Sequence, residues 1–348
     1  MIISFYNREF NPLFNNASLL IDNESFELVK RPIELNDFSC VCEPFTEDIQ
    51  PTFLVVKNDR GNSKNLVYSA LAGVPILTAE NKTEINATDL KTIFSSDVVI
   101  EYGAYANISQ VINKIFTEWN TQVNRNSISC RIEFVDNAGA VEITDFKPST
   151  EKQVYNALDE ISSYLEYYKL YIDSRIDIIE KEVVFTIGKL MTEEMNIKLW
   201  EYGERNFGKW VADVNEVQGY YINENNVWSS LKDTNGNDIV WILTKDNDIT
   251  IDTSKRDIYP IKKRIFTSTV SVEQANKDAL NELLNARYNE DIEIPTNDEN
   301  IGLSTNFNIY LRRGEEKYKS LPCGELRYNA NGLYEVQIGF RYTGVNFI

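Results

Sequence analysis

The chain has 348 residues, 43% of them apolar, with 53 acidic against 35 basic side chains and a formal net charge of −18. That length implies about two to four domains, and no run of about 18 apolar residues is present to span a membrane. Histidine is absent, which removes Ser-His-Asp and Cys-His nucleophilic arrangements, zinc motifs of the H-E-x-x-H kind and the usual general base near neutral pH, leaving carboxylate-only chemistry.

Residues 1–104 read as β-rich. Met1 to Arg8 show no basic segment followed by an apolar one, so no secretory signal is read there. Phe26, Leu28, Phe38, Cys40 and Cys42 follow period two, and Phe53-Leu-Val-Val56 is a buried-strand run. Asp59-Arg-Gly-Asn62 supplies a turn, Leu66-Val-Tyr68 resumes the sheet, and Gly73-Val-Pro75 breaks it. Thr88 to Phe94 read as a short capped helical turn, Val98-Val-Ile100 as a strand, and Gly103 as its end. From Asn107 the texture becomes α/β. Asn107 and Gln110 cap a helix faced by Ile108, Val111, Ile112, Ile115, Phe116 and Trp119. Ser127 to Phe134 and Ala140 to Phe146 read as a hairpin around Asp136-Asn-Ala-Gly139. Thr150 with Gln153 caps a second helix faced by Val154, Ala157, Leu158, Ile161 and Leu165.

Strands are expected at Leu170–Asp173, Glu182–Ile187, Gly219–Ile222, Ile239–Ile242 and Ile249–Ile251, with a hairpin tip at Asp233–Asp238. Ser271 and Gln274 form a capping box for a third helix along Val272, Ala275, Ala279, Leu280, Leu283, Leu284 and Tyr288. After Asn289 the period changes to two, and three strands follow around Ile292-Ile294, Phe307-Ile309-Leu311 and Tyr334-Val336-Ile338, ending at Phe347-Ile348. The fold class is α+β, mainly β.

Candidate sites are few. Cys40 and Cys42 share a strand face, so they are poorly placed to bond each other, and Cys40, Cys42, Cys130 and Cys323 read as small core residues in a reduced compartment. Asp233-Thr-Asn235-Gly236-Asn237-Asp238 lacks the Gly and Glu positions of an EF-hand loop and reads as an Asn-Gly turn; Asp246-Asn-Asp248 reads as a solvated turn. The acid pairs Glu193-Glu194, Glu315-Glu316 and Asp159-Glu160 are the raw material for a glycosidase, but sequence neighbours do not make a cleft. Trp119 and Trp241 read as core, whereas Trp200, Trp210 and Trp228 suit subunit contacts or a sugar platform. The acids are scattered as on an evenly solvated surface. Lys262-Lys263-Arg264 and Arg312-Arg313 are too short to be a phosphate-gripping stripe and read as strand-edge or loop charges. No catalytic, cofactor-binding or metal-ligating residue is assigned.

Two blocks carry a family resemblance. One is "FELVKRPIELNDFSCVCEPF" (26–45), "PTFLVV" (51–56), "LVYSALAGVPIL" (66–77) and "INATDLKTIFSSDVVIEY" (85–102), with Y-x-x-L-A-G-V-P followed by T-D-L-K-x-I-F. The other is the last helix, "NEDIEIP", the Ile301-Gly302-Leu303 turn and the terminal "YEVQIGFRYTG". Together, over about half of the chain, they resemble the tail-tip baseplate hub, or tail-associated protein, family of siphophages, which is similar to the central hub of myoviruses. The resemblance implies two hub β-barrel-like domains with inserted α/β domains, three copies making a pseudo-sixfold ring that closes the tail tube and opens for DNA ejection. The expected divisions are 1–104, the first hub domain; 105–178, an α/β domain; 179–204 with 291–348, the second hub domain; and 205–290, an inserted α/β domain. The expected partners are two further copies, a distal tail protein, a tape-measure protein and receptor-binding or baseplate proteins, with phage DNA passing through without specific binding. The location is the virion tail tip, assembled in the bacterial host cytoplasm. Some relatives continue into a peptidoglycan-cleaving module; here the sequence stops after the hub, and no enzyme activity or cofactor is expected. A carboxylate-dependent cell-wall hydrolase and a host-saccharide-binding adhesin are the alternatives.

Overall fold

A computed structural model gives the fold and describes residues 1–13, 25–43, 51–58, 65–125, 127–144, 146–202, 206–208, 214–245, 248–257, 260–267, 272–286 and 291–339. The Asp59–Asn62 turn, Trp210, Ser271, Tyr288 and Phe347-Ile348 lie outside these residues, as do parts of the Asp246–Asp248 turn and of the "YEVQIGFRYTG" block.

The N-terminal strands are β1 (Ile2–Tyr6), β2 (Glu27–Lys30), β3 (Asp37–Cys42), β4 (Phe53–Asn58), β5 (Asn65–Ala72), β6 (Ile76–Leu77) and β7 (Thr83–Asp89). They pair antiparallel in the order β1-β4-β5-β7-β3-β2, with β6 also on β7. Period-two patterning sends Leu28, Phe38, Cys40 and Cys42 inward, where they join Ile3, Phe5, Leu54, Val56, Tyr68 and Ile85 in one core. Gly73 separates β5 from β6 because the chain crosses so close to β7 that a Cβ there would lie 2.6 Å from the Asn86 carbonyl oxygen. Asp89 then caps a 3₁₀ turn, Leu90–Phe94, by accepting from the Lys91 N–H.

Next come β8 (Asp97–Ile100), α1 (Ile108–Trp119), β9 (Cys130–Phe134), β10 (Gln153–Asn156), α2 (Ala157–Tyr167), β11 (Leu170–Asp177) and β12 (Glu182–Lys189). Asn107 caps α1 as its sequence implies, accepting from the Gln110 N–H. Ile108, Val111, Ile112, Ile115 and Trp119 are buried, at about 2 kcal/mol each before entropy. Two expectations fail here. The hairpin 127–146 does not form: β9 pairs in parallel with β12, while Asp136 and Asn137 are left-handed and lead into a 3₁₀ turn at Ala138–Ala140. Thr150 and Gln153 do not cap α2. Residues Gln153–Asn156 are extended against β8, Asn156 caps the helix by accepting from Leu158 and Asp159, and Val154 is exposed. β8 pairs with β10, and β12 with β11 and β9, so limits at 104 and 178 would fall between paired strands. Gln122 covers the outer edge of β8 as a backbone mimic, accepting from the Val99 N–H at 2.9 Å and donating to the Val99 carbonyl at 2.8 Å.

β13 (Glu193–Lys198) and β14 (Asn206–Gly208) lead into an insert of β15 (Glu216–Ile222), β16 (Trp228–Ser230), β17 (Trp241–Leu243), β18 (Ile249–Thr250), β19 (Lys263–Thr267) and α3 (Val272–Ala286). β15 is central, and α3 packs on β15 and β17 through Ala275, Ala279, Leu280 and Leu283. Val272, expected on that face, is 47% exposed at the helix start.

The chain then forms β20 (Asp291–Pro295), β21 (Thr305–Tyr310), β22 (Lys319–Asn329) and β23 (Gly332–Ile338), one strand more than expected. These four strands join β13, which pairs in parallel with β21, and β14, which pairs with β20. β14 therefore leaves the expected 205–290 insert. Ile197, Ile292, Ile294, Phe307, Ile309, Leu321, Leu326, Val336 and Ile338 make a second core. The two half-sheets are one continuous hydrogen-bonded ladder of thirteen strands, because β2 pairs with β22 at Leu28–Tyr328, Val29–Arg327 and Lys30–Leu326.

Gly324 marks the bulge in β22, where a Cβ would lie 2.1 Å from the Gly339 carbonyl oxygen. Gly324→Ala should lower stability by about 2 kcal/mol, whereas Gly302→Ala, with only the Ser304 Oγ at 3.8 Å, should change it by less than about 0.5 kcal/mol. Urea unfolding midpoints of the two variants check this.

Candidate functional site

The carboxylates singled out in the sequence have different surroundings. Glu193 and Glu194 are exposed on β13, and Glu315 and Glu316 are exposed between β21 and β22. Glu160 turns inward from α2 and is 5% exposed. There it accepts from the Tyr102 hydroxyl at 2.7 Å and forms an ion pair with Lys277 of α3, itself 2% exposed. The Lys277 ammonium sits 4.6 Å from the ring centre of Tyr155, 5.4 Å from Tyr164, 5.7 Å from Tyr102 and 5.9 Å from Phe146. Ring faces are electron-rich and attract a desolvated cation, so four rings and one carboxylate surround this ammonium.

Burial, and then Glu160, push the Tyr102 and Tyr164 phenols well above their ordinary range, so both remain protonated. Asp159, beside Glu160, is raised by burial and by Asp97 and Glu160. Asp278, beside Lys277, is raised chiefly by burial, with Glu282 and Glu160 adding and Gln274 and Lys277 opposing. One ammonium thus faces a surplus of carboxyl groups. The arrangement sequesters its only deeply buried carboxylate and suits holding two elements together.

Other charge clusters also join elements distant in sequence. Lys91, fully buried, donates to the Ile33 carbonyl at 3.4 Å and to the Glu34 carbonyl, with Asp89 at 3.4 Å. Asp89 in turn accepts from the Asn36 N–H at 2.7 Å. At the β2–β22 junction Arg31 donates to Glu325 at 2.9 Å and to Asp37 at 2.8 Å, while Arg327 meets Glu293, Glu325 and Glu335. Lys30 pairs with Asp173 of β11 at 2.9 Å. Burial pulls Lys30 down, but Asp173, Tyr328 and Asp89 together hold it above its ordinary value.

Sequence reasoning did not find Lys277, Lys91 or Arg327. Lys277 lies off the apolar stripe of α3, on the side that α2 covers, and nothing local marks it. All four cysteines are free. Burial raises the thiols of Cys40 and Cys130 to about 12 and of Cys42 to about 11, so they are poor nucleophiles at neutral pH. Among the described residues no group of three or more Cys, Asp or Glu is arranged to hold a metal ion. The Asp233 carboxylate instead accepts from the Asn235 and Asn237 N–H groups, and Gly236 takes a positive φ of 83°, as a tight turn requires. Trp119 and Trp241 are buried with their indole N–H groups bonded to Ile93 and Asn276. Trp228 is 55% exposed beside Ile222 and Val227.

No family model matches the sequence, and no curated protein matches it. Solved structures do. The prophage tail protein gp18 of Listeria monocytogenes EGD-e aligns with a TM-score of 0.53 at 12% identity, over 99% of this chain and 96% of that one. The chain has a phage tail protein fold. A chain of the lidded Francisella PdpA-VgrG complex aligns with a TM-score of 0.51 at 12% identity, over 99% of this chain and 52% of its own. The tail-protein fold therefore extends through the α/β unit and the insert as well as the two half-sheets.

A carboxyl whose folded-state pKa is raised contributes its full stability below the unfolded value and loses it as pH rises through the folded value. Asp159 is such a group. Asp159→Asn should therefore melt higher than the parent at about pH 7, with the difference vanishing near about pH 3, as read by thermal melts across that range. Lys91→Met leaves Asp89 buried without its cation and strips the Ile33 and Glu34 carbonyls of a donor. Its unfolding free energy should fall by about 3–5 kcal/mol, measured by denaturant titration.

Proposed function

We propose that this chain is a structural hub at the distal end of a phage tail, without a catalytic centre. The observation that carries the reading is the likeness to the Listeria prophage tail protein over nearly the full length of both chains. Two half-sheets with separate cores in one ladder support a division into two hub domains. Their adjusted limits are 1–89 for the first, and 190–208 with 291–339 for the second, with an α/β unit at 97–189 and an insert at 214–286.

In this reading three copies contribute two domains each to a pseudo-sixfold ring that continues and closes the tail tube and attaches the baseplate and receptor-binding apparatus. Its neighbours are a distal tail protein and a tape-measure protein, and its place is the tail tip of a siphophage virion, assembled in the bacterial host cytoplasm. A net charge of −18 repels phosphates, which suits a lining along which DNA slides without sticking when the ring opens. The burial of Glu160 against Lys277 and the raised thiols favour a structural role over hydrolysis.

The test is mass in solution by light scattering, alone and with the distal tail protein, together with negative-stain images. A trimer forming a ring is expected, and a chain that stays monomeric under both conditions overturns the reading. In a zymogram on host peptidoglycan the purified chain should leave no clear band.

A further inference from the structure

The insert and the α/β unit meet where α3 crosses α2, and the centre of that seam is charged. Lys277 is the ammonium that α3 sends into the α/β unit. Its ion-pair partner and the four rings around it all come from that unit: Glu160 and Tyr164 from α2, Tyr155 from β10, Tyr102 after β8, and Phe146 from the segment before β10. A buried ion pair is a poor way to make a permanent joint, since an apolar pair of equal volume is commonly neutral or more stabilising. Its particular property is asymmetry. Intact, the pair satisfies both charges; with one partner gone, the other is stranded. Parted, both groups regain water, which apolar faces cannot do without penalty.

Two further features add polar groups at the seam, beside which the buried hydrophobics of the insert and the α/β unit form one connected cluster. The Tyr164 hydroxyl is buried without a hydrogen-bond partner, and Asp278 adds a second carboxyl beside Lys277. By contrast, the insert's own packing is apolar: Ala275, Ala279, Leu280 and Leu283 are buried on α3, and Val217, Trp241 and Leu243 on the sheet it covers.

We propose that Lys277 and Glu160 form a releasable latch, so that the insert, with α3 on its own sheet, undocks from the α/β unit as one body while the thirteen-stranded ladder stays closed. Tyr102 steadies the carboxylate end of the latch, and the ring cage gives the ammonium one seat. Release exposes α2 and the Lys277 side of α3 and leaves β15 to β19 intact. This holds for the single chain and does not depend on ring formation.

Hydrogen exchange of the full-length chain, followed by mass spectrometry, tests it. Lys277→Met strands the Glu160 carboxylate. It should speed exchange about tenfold or more in α2, β10 and the Lys277 side of α3, with β1 to β5 and β20 to β23 unchanged. Lys277→Met combined with Glu160→Gln removes both charges and should return protection to within about threefold of the parent. Equal acceleration across all strands overturns the latch, since the pair then contributes only to global stability. Unchanged exchange in Lys277→Met overturns it too, as does a double variant as open as the single one. If Lys277→Met does not fold, the unaltered chain carries the test at low denaturant. There the α2–α3 seam should open before the half-sheets, and seam opening only with global unfolding overturns the proposal.

Discussion

Three residue pairs between β2 and β22 hold the architecture together. Without them the N-terminal and C-terminal half-sheets are two small sheets, each with its own core and an open edge; with them they are one ladder. Side chains alternate across a strand, so a slip of β22 by one residue would turn Leu326 out of its core. Charge pins that register at one end, where Arg31 donates to Glu325, while Arg327 ties β22 to Glu335 of β23. These ions are partly exposed, so their contribution is better read as registration than as strength.

The molecule uses two kinds of joint. Between half-sheets the joint is backbone pairing, which is short-ranged and directional and fixes relative orientation. Between the insert and the α/β unit it is a caged ion pair, reversible in water. β11 adds a third attachment, tying the α/β unit to the N-terminal half through Ile172 N–H to the Pro32 carbonyl at 2.7 Å and Lys30 to Asp173. A proposed hub that must stay in register with its neighbours while part of it moves has a use for both.

Much of this was legible in the sequence wherever the determinant is local. The period-two run through Leu28, Phe38, Cys40 and Cys42 and the cap at Asn107 are such cases, because burial alternation and a side-chain cap depend on adjacent residues. The start of α2 is not decided locally, because Thr150 with Gln153 satisfies the same local code as Asn156, and the choice is made by β8, which holds Gln153–Asn156 extended. β9 carries no local sign of its pairing, because its parallel partner β12 lies some fifty residues away. Lys277 had no signal, since a lysine off an apolar stripe normally faces solvent and only the position of α2 buries it.

The β2–β22 pairing also has a consequence in time. Its partners come from opposite ends of the chain, so on a ribosome adding about 5–20 residues per second, β2 waits roughly 15–60 s for its neighbour. During that interval the β2 edge is an unpaired row of peptide groups beside a formed core, flanked by Glu27 and Lys30 as its protection. A truncated chain ending before Lys319 displays that edge permanently. Misassembly would then begin at β2, in the half of the protein that folds first.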